Sequence, residues 1–225
     1  VPTWTFVATS SDGYTSVEEF VLNGDDGDNV INAGGYSDGD VTIDGGDGND
    51  RLTAGKLNDS IIGGLGNDWI NAKSGNDYLE GGDGNDTLLG GYGDDINIGG
   101  DGDDYINANA GDDLIDAGYG NDSMRGSTGN DTIDGQAGFD WLFGGPGDDI
   151  LNGGDGDDPA SGEDGNASIL GGDGYDRLLG GNGNDTIEGE KGNDVISGGD
   201  GLDSMIGGEG DDTVDGQTGD EGVSQ

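Results

Sequence analysis

The 225-residue sequence contains neither cysteine nor histidine, and only six of its residues are lysine or arginine. Without cysteine, no disulfide framework can form. Without histidine, the chain has no H-E-x-x-H zinc-protease motif and no Ser-His-Asp or Cys-His catalytic group. No apolar run approaches the length of a membrane span, so membrane insertion is not expected. We expect this chain not to be an enzyme.

Apolar residues are also scarce, at 28% of the chain, whereas 50 residues are acidic and 55 are glycine. The formal net charge of −44 argues against nucleic acid and anionic membrane surfaces as partners. So little apolar surface cannot offset chain entropy and charge repulsion, and this composition is typical of disordered chains. An ordered fold therefore requires cations bound at specific positions.

A nine-residue repeat occupies residues 45–224 without an insertion or deletion. Its pattern is G-G-x-G-x-D-x-U-x, where U is a large aliphatic residue. The fourth position is Gly in 19 of 20 copies, with Leu57 the exception, and the sixth is Asp in 18 of 20. A fixed period of this kind indicates a solenoid. Adaptation to high salt would instead scatter acidic residues over the surface.

Each repeat position has a predicted structural role. Positions seven to nine form a three-residue strand whose middle, aliphatic side chain points inward. Glycine at positions one, two and four predicts that the other six residues turn tightly. Two repeats on opposite sides make one 18-residue coil. The predicted fold class is all-β: a right-handed parallel β-roll, or β-solenoid, of about ten regular coils behind an N-terminal cap.

The sixth-position Asp residues are predicted to stack in two columns, because residues one coil apart lie one strand spacing of ~4.8 Å apart. Stacked carboxylates repel each other unless a cation lies between them. Carboxylates beside exposed turn carbonyls are hard oxygen ligands, which suit Ca²⁺. The predicted metal ligands of the first column are Asp50, Asp68, Asp86, Asp104, Asp122, Asp140, Asp158, Asp176, Asp194 and Asp212. Those of the second column are Asp59, Asp77, Asp95, Asp113, Asp131, Asp149, Asp185 and Asp203.

Three departures from the pattern carry further predictions. Ala167 and Glu221 interrupt the second column, which leaves 15 intact Asp pairs, so we expect roughly 15 or more bound Ca²⁺. Pro159 and Ala160 stand close to Ala167, which makes residues 158–168 the weakest segment. Asn97 places an amide in the aliphatic column, and we expect its strand to be locally inverted.

The nonapeptide resembles that of the RTX family, and clean copies such as residues 45–53 and 81–89 carry the resemblance over about four fifths of the chain. It implies a calcium-binding β-roll in which each ion lies between successive turns of one edge, held by both Asp side chains and by loop carbonyls. It also implies an extracellular or cell-surface location, with type I secretion, because such chains stay unfolded at low cytosolic calcium.

Three segments are predicted along the chain. Residues 1–23 form capping or docking strands, residues 24–44 are degenerate transition repeats with Asn29 at an Asp position, and residues 45–225 form the roll. The N-terminal strands either cap the first coil or dock on another subunit. The repeat ends without an atypical polar cap, which both truncation of a longer protein and end-to-end assembly would explain.

Two functions are compatible with these features. The first is a calcium-binding extracellular structural protein that folds on Ca²⁺ into a rigid rod and assembles with copies of itself, end to end, into a filament or surface layer. The alternative is the RTX module of a larger type I-secreted enzyme, toxin or adhesin. Trp69, Tyr105 and Trp141 recur every 36 residues on one outer face. They either contact polysaccharide or a cell surface, pack against a neighbouring roll, or are ordinary exposed residues.

Overall fold

The computed structural model describes residues 5–9, 19–37, 39–218 and 222–224. Within these ranges every regular element is a β-strand, and no helix that could span a membrane occurs. The odd-numbered strands are β1 (Thr5–Thr9), β3 (Val30–Gly35), β5 (Arg51–Thr53), β7 (Trp69–Ser74), β9 (Thr87–Tyr92), β11 (Tyr105–Ala110), β13 (Ser123–Thr128), β15 (Trp141–Pro146), β17 (Pro159–Asp164), β19 (Arg177–Asn182), β21 (Val195–Asp200) and β23 (Thr213–Thr218). The even-numbered strands are β2 (Glu19–Asn23), β4 (Asp40–Asp47), β6 (Ser60–Leu65), β8 (Tyr78–Asp83), β10 (Ile96–Asp101), β12 (Leu114–Tyr119), β14 (Thr132–Asp134), β16 (Ile150–Asp155), β18 (Ser168–Asp173), β20 (Thr186–Lys191), β22 (Ser204–Glu209) and β24 (Gly222–Ser224).

The strands form two 12-stranded parallel sheets, and the chain alternates between them. The odd-numbered strands stack in chain order in the first sheet, and the even-numbered strands do so in the second. Paired residues in the regular coils are 18 positions apart, as with Leu88 and Ile106. The prediction of an all-β parallel β-solenoid with 18-residue coils is therefore confirmed. At the N-terminal end, β1 and β2 pair with β3 and β4 and so lie at the outer edge of the two sheets.

Most strands are six residues long, twice the predicted length. In β9, the strand continues from Thr87 through the first three positions of the next copy, Gly90, Gly91 and Tyr92, where it ends. The prediction of a six-residue turn is wrong because these glycines extend the strand, and only positions four to six turn. The first position also faces inward, as Leu88 and Gly90 both do in β9. A column of Gly and Ala therefore lies beside the aliphatic column and lets the two sheets approach closely.

The fourth-position glycine is required by its backbone conformation. Gly102 has a φ of 130°, and a Cβ there would lie 2.2 Å from the carbonyl oxygen of Gly84 in the preceding coil. The φ angle decides the strict preference for Gly, because 130° lies outside the range of 60° to 84° that the non-glycine residues with positive φ adopt in this roll. The second position is also left-handed but admits side chains, as at Lys73 (φ 80°) and Asn109 (φ 79°).

Asn97 lies fully buried in the aliphatic column, aligned with Leu79 and Ile115. The predicted inversion is wrong, because Asn97 points inward and Ile96 points outward, as in the regular strands. Inversion would move every side chain of β10 to the other face, and the ladders on both sides fix its register. The buried amide of Asn97 lowers the stability of the fold, since neither of its polar atoms has a hydrogen-bond partner.

Pro159 and Ala160 remain within β17, and the buried Ala160 aligns with Leu142 and Leu178. Position seven elsewhere donates its N–H to the sixth-position carbonyl of the preceding coil, as Trp141 does to Asp122 at 2.8 Å. Pro159 has no N–H to donate there. That residues 158–168 form the weakest segment stays a prediction.

Candidate metal centre

The sixth-position Asp residues lie in the turns just before each strand, so they form a column at each edge of the roll. Of the 18 predicted ligands, 17 are buried, with side chains no more than 3% exposed. Asp212 is half-buried, and Glu221 lies outside the described residues. The space between two successive sixth-position residues of one column is called a gap below.

One oxygen of each carboxylate accepts a backbone hydrogen bond from the preceding coil. In the first column, the N–H of Asp86 donates to Oδ1 of Asp104 at 2.7 Å. In the second column, the N–H of Asp59 donates to Oδ1 of Asp77 at 2.7 Å. These bonds hold successive turns in register at both edges.

The other oxygen, Oδ2, has no hydrogen-bond partner in most of the Asp residues. A buried carboxylate oxygen without a partner is costly, and a bound cation removes that cost. The unpartnered Oδ2 atoms belong to Asp50, Asp68, Asp77, Asp86, Asp95, Asp104, Asp113, Asp122, Asp131, Asp140, Asp149, Asp158, Asp176, Asp185, Asp194 and Asp203.

Backbone carbonyls lie beside these oxygens. A Cβ placed on Gly81 would be 2.3 Å from Oδ2 of Asp86 and 2.6 Å from the carbonyl oxygen of Gly99 in the next coil, so both oxygens border one small space. Within the described residues no group of three or more metal-binding side chains comes together. A Ca²⁺ ion with six to eight oxygen ligands would therefore take most of them from the backbone and two from Asp side chains.

Burial raises the pKa values of most of these carboxyls, including Asp86, Asp104 and Asp140. Desolvation raises the pKa of Asp104 to about 7, and the neighbouring carboxylates of Asp86 and Asp122 add to the increase. Desolvation likewise raises the pKa of Asp140 to about 7 and that of Asp86 to about 6. An isolated carboxylate is thus poorly accommodated at these positions, whereas a nearby cation would restore the ionised form.

The repeat pattern, the coil and the buried carboxylates are shared with a known family. The model of the RTX calcium-binding nonapeptide repeat matches residues 37–61, 62–96, 89–124, 98–133, 125–158, 161–196 and 191–220. The chain belongs to this RTX family. The curated proteins contain no match to it. RTX repeats bind Ca²⁺ and are typical of secreted proteins, and the RTX β-roll is a structural repeat domain, not a catalytic fold.

At Ala167 the roll lacks the sixth-position carboxylate, although its backbone follows the regular path. The N–H of Ala167 donates to Oδ1 of Asp185 at 2.8 Å, as a sixth-position Asp would, so the backbone is regular there. Its methyl group supplies no carboxylate to the gap shared with Asp149 or to the gap shared with Asp185. The two gaps that flank Ala167 therefore each have one Asp instead of two.

The structure contains a second hydrogen-bond ladder that the repeat pattern did not lead us to predict. Fifth-position side chains accept backbone hydrogen bonds from the following coil: Oδ1 of Asn49 accepts from the N–H of Asn67 at 2.7 Å, and Oδ1 of Asn67 accepts from the N–H of Asn85 at 2.9 Å. The signal was present, because the fifth position is Asn or Asp in 17 of 20 copies. This ladder is exposed, so it supports the turn without enclosing an ion.

The three aromatic residues spaced by 36 positions lie in β7, β11 and β15, on the outer face of the first sheet. They differ in exposure. The guanidinium of Arg51 covers Trp69, 3.7 Å from the ring centroid, whereas Tyr105 and Trp141 are 44% and 46% exposed. Trp141 also stacks on Phe143, with ring centroids 6.2 Å apart.

Proposed function

We propose that this RTX chain is an extracellular structural protein that folds when Ca²⁺ binds along both edges and then forms a rigid rod. Sixteen buried Oδ2 atoms without a partner carry the proposal. Each would contribute to a bound ion together with carbonyls of the adjoining turns. Calcium in the range that extracellular modules bind, ~10⁻⁴–10⁻³ M, would complete the fold only outside the cell.

The apolar core alone is too small to determine folding. Each 18-residue coil buries two large aliphatic side chains, such as Leu88 and Leu79, beside Gly or Ala. Such burial stabilises the fold by ~1.5–3 kcal/mol per side chain, against the entropy of ordering 18 residues. The net charge of −44 opposes compaction further. Calcium binding supplies the missing stabilisation, as it does wherever a metal site forms only on folding.

A calcium titration followed by circular dichroism tests this function. The decalcified chain should be largely disordered at neutral pH and should gain strand structure cooperatively at ~10⁻⁴–10⁻³ M Ca²⁺. Magnesium at the same concentrations is the control, because its small octahedral shell does not suit carbonyl-rich sites and it should leave the chain disordered. A strand spectrum that persists in excess chelator would contradict the proposal.

The strand order supports end-to-end assembly as the finer form of this function. Both sheets are parallel throughout, with β1 and β2 at one end and β23 and β24 at the other. A second copy placed head to tail would continue both ladders with the same hydrogen-bond direction, and such heterologous contacts generate filaments. Sedimentation and electron microscopy in millimolar calcium test this, with deletion of residues 1–22 expected to abolish polymers while calcium-induced folding persists. A stable monomer at high concentration would favour the alternative, a module of a larger secreted enzyme, toxin or adhesin.

A cleft on the outer face of the first sheet supports polysaccharide as a partner. A cleft of about 480 Å³ lies beside Pro159, where this face meets the turns that precede the strands, and it is lined by Trp141, Tyr175 and Arg177 together with Phe139, Asp157 and Asp158. Exposed aromatic faces beside a guanidinium combine apolar and hydrogen-bonding surface, which suits sugar rings. Binding of soluble polysaccharides should shift the tryptophan fluorescence, and Trp141→Ala should abolish the shift. Trp69→Ala is the matched control, because Arg51 already covers that ring.

A further inference from the structure

The start of each column differs from the later gaps. The sixth-position residues of the two transition repeats are Asn29 and Val41, both uncharged and both buried. They continue the columns, because the N–H of Asn29 donates to Oδ1 of Asp50 and the N–H of Val41 donates to Oδ1 of Asp59, each at 2.7 Å. The two columns thus extend one coil beyond their first Asp, but without a carboxylate.

At the start of the first column, an amide group lies where the later copies have Oδ2. Nδ2 of Asn29 donates to the carbonyl oxygen of Gly27 and to that of Asp25, the latter at 3.3 Å. These are the fourth- and second-position carbonyls of the same turn. They are satisfied here by an N–H donor, which repels a cation from the space that it fills.

At the start of the second column, a backbone amide plays the corresponding part. The N–H of Gly55 donates to Oδ2 of Asp59 at 2.7 Å. Among the 17 buried Asp residues, Asp59 is therefore the one whose Oδ2 has a hydrogen-bond partner. Its carboxylate already has a donor on each oxygen, so the gap between Asp59 and Asp77 has no unpaired oxygen from Asp59.

Leu57 accounts for this arrangement. It is the single non-glycine at the fourth position of the repeat. The next fourth-position residue of this column, Gly75, has a φ of 138°, a conformation that leucine avoids. Neither Gly55 nor Leu57 has a positive φ, whereas the second and fourth positions of the next turn, Lys73 and Gly75, both do. Without the two left-handed residues the turn takes a different path, and it presents the N–H of Gly55 to Asp59.

We infer that the roll begins with an amide cap, in which Asn29 and the N–H of Gly55 replace calcium, and that Leu57 keeps the Asp59–Asp77 gap free of calcium. The inference rests on the proposed calcium-dependent function and changes its stoichiometry. The ions would start between Asp50 and Asp68 in the first column and one coil later, between Asp77 and Asp95, in the second. At this end of the roll, amide donors thus satisfy the oxygens that bound ions would satisfy in the later coils.

Native mass spectrometry of the full chain in saturating calcium tests the inference, because it counts bound ions as integers. Leu57→Gly allows the left-handed turn and should bind one more Ca²⁺ than the parent. Leu57→Ala is the matched control, because it removes the bulk but keeps a Cβ, and it should bind the parent's number. Asn29→Asp should likewise add one ion at the first column.

A second measurement distinguishes a change of the turn from a failure to fold. In calcium-loaded protein, hydrogen exchange of the Gly55 amide should be at least about tenfold faster in the Leu57→Gly variant, because the N–H loses its carboxylate acceptor. Circular dichroism should show the same strand content in parent and variant. A folded Leu57→Gly variant with the parent's ion count and a protected Gly55 amide would overturn this inference and leave the proposed function intact. A parent chain that binds no calcium would overturn the proposed function as well.

Discussion

The backbone N–H of Asp50 donates to Oδ1 of Asp68 at 2.7 Å, while Oδ2 of Asp68 has no partner. This division recurs along both edges of the roll. Oδ1 joins one coil to the preceding one, and Oδ2 remains beside the turn carbonyls. Each Asp therefore combines a structural role that needs only an acceptor with a metal-binding role that needs a negative charge.

Substitutions at Asp104 separate the two roles. Asp104→Asn keeps an acceptor for the N–H of Asp86 and removes the charge, whereas Asp104→Ala removes both. Both variants should bind fewer calcium ions. The alanine variant should be less stable than the asparagine variant by a further ~1–3 kcal/mol, because it leaves a buried N–H unpaired. Native mass spectrometry and urea unfolding in saturating calcium measure the two effects. An unchanged ion count in both would show that carbonyls and water hold the ions without this carboxylate.

The raised pKa values predict that acid can partly replace calcium. Burial raises the pKa of Asp104 from 3.8 to about 7 in the folded, calcium-free chain. The folded state then binds protons more tightly than the unfolded state, so the ionised carboxylates destabilise it fully above pH 7. That destabilisation is lost as the pH falls through the folded pKa values of about 7 and about 6 towards 3.8.

Circular dichroism of the decalcified chain should therefore show disorder at about pH 7.5 and strand structure at about pH 4–5. The calcium-loaded chain is the control, and its strand content should not rise over the same range because its carboxylates are already paired with cations. A decalcified chain that remains disordered down to pH 4 would contradict the role assigned to carboxylate burial.

The period predicts most of the fold, because residues nine positions apart must occupy equivalent places in a regular coil. That argument predicts the stacking of Asp50 on Asp68 and the inward Leu88. It does not predict which backbone groups meet each carboxylate. The N–H of Gly55 reaches Asp59 because of the local φ angles around Leu57, and those depend on contact with the neighbouring coil. The strand length was missed for a related reason: glycine is typical of turns, but the first-position glycine here is a core residue that pairs in the sheet.

Asn97 is expected to reduce stability without taking part in calcium binding. It is fully buried between Leu79 and Ile115 in the stack, and its amide has no partner. Asn97→Leu should stabilise the calcium-loaded chain by ~1–3 kcal/mol, because it removes an unpaired buried amide and adds apolar contact. Urea unfolding measures the change. Asn71→Leu, on the outer face of β7, is the control and should leave stability nearly unchanged. Destabilisation by Asn97→Leu would indicate that the amide is hydrated or that the core has no room for leucine.

Ala167 should mark the weakest calcium binding in the second column. Its neighbours are arranged as in a regular copy: its N–H reaches Asp185, and a Cβ on Gly162 would lie 2.4 Å from its methyl carbon, where other copies have the Asp side chain. Ala167→Asp would supply both the acceptor and the charge that the flanking gaps lack. We expect one or two additional calcium ions by native mass spectrometry and a lower calcium concentration at the folding midpoint. Ser168→Asp adds the same charge on the exposed face of β18, and it should add no ion and leave the midpoint unchanged or higher, since like charges repel. An Ala167→Asp variant that binds only as many ions as the parent would contradict this prediction. Backbone carbonyls and water would then already hold calcium on both sides of Ala167, and a gap would not need two Asp side chains.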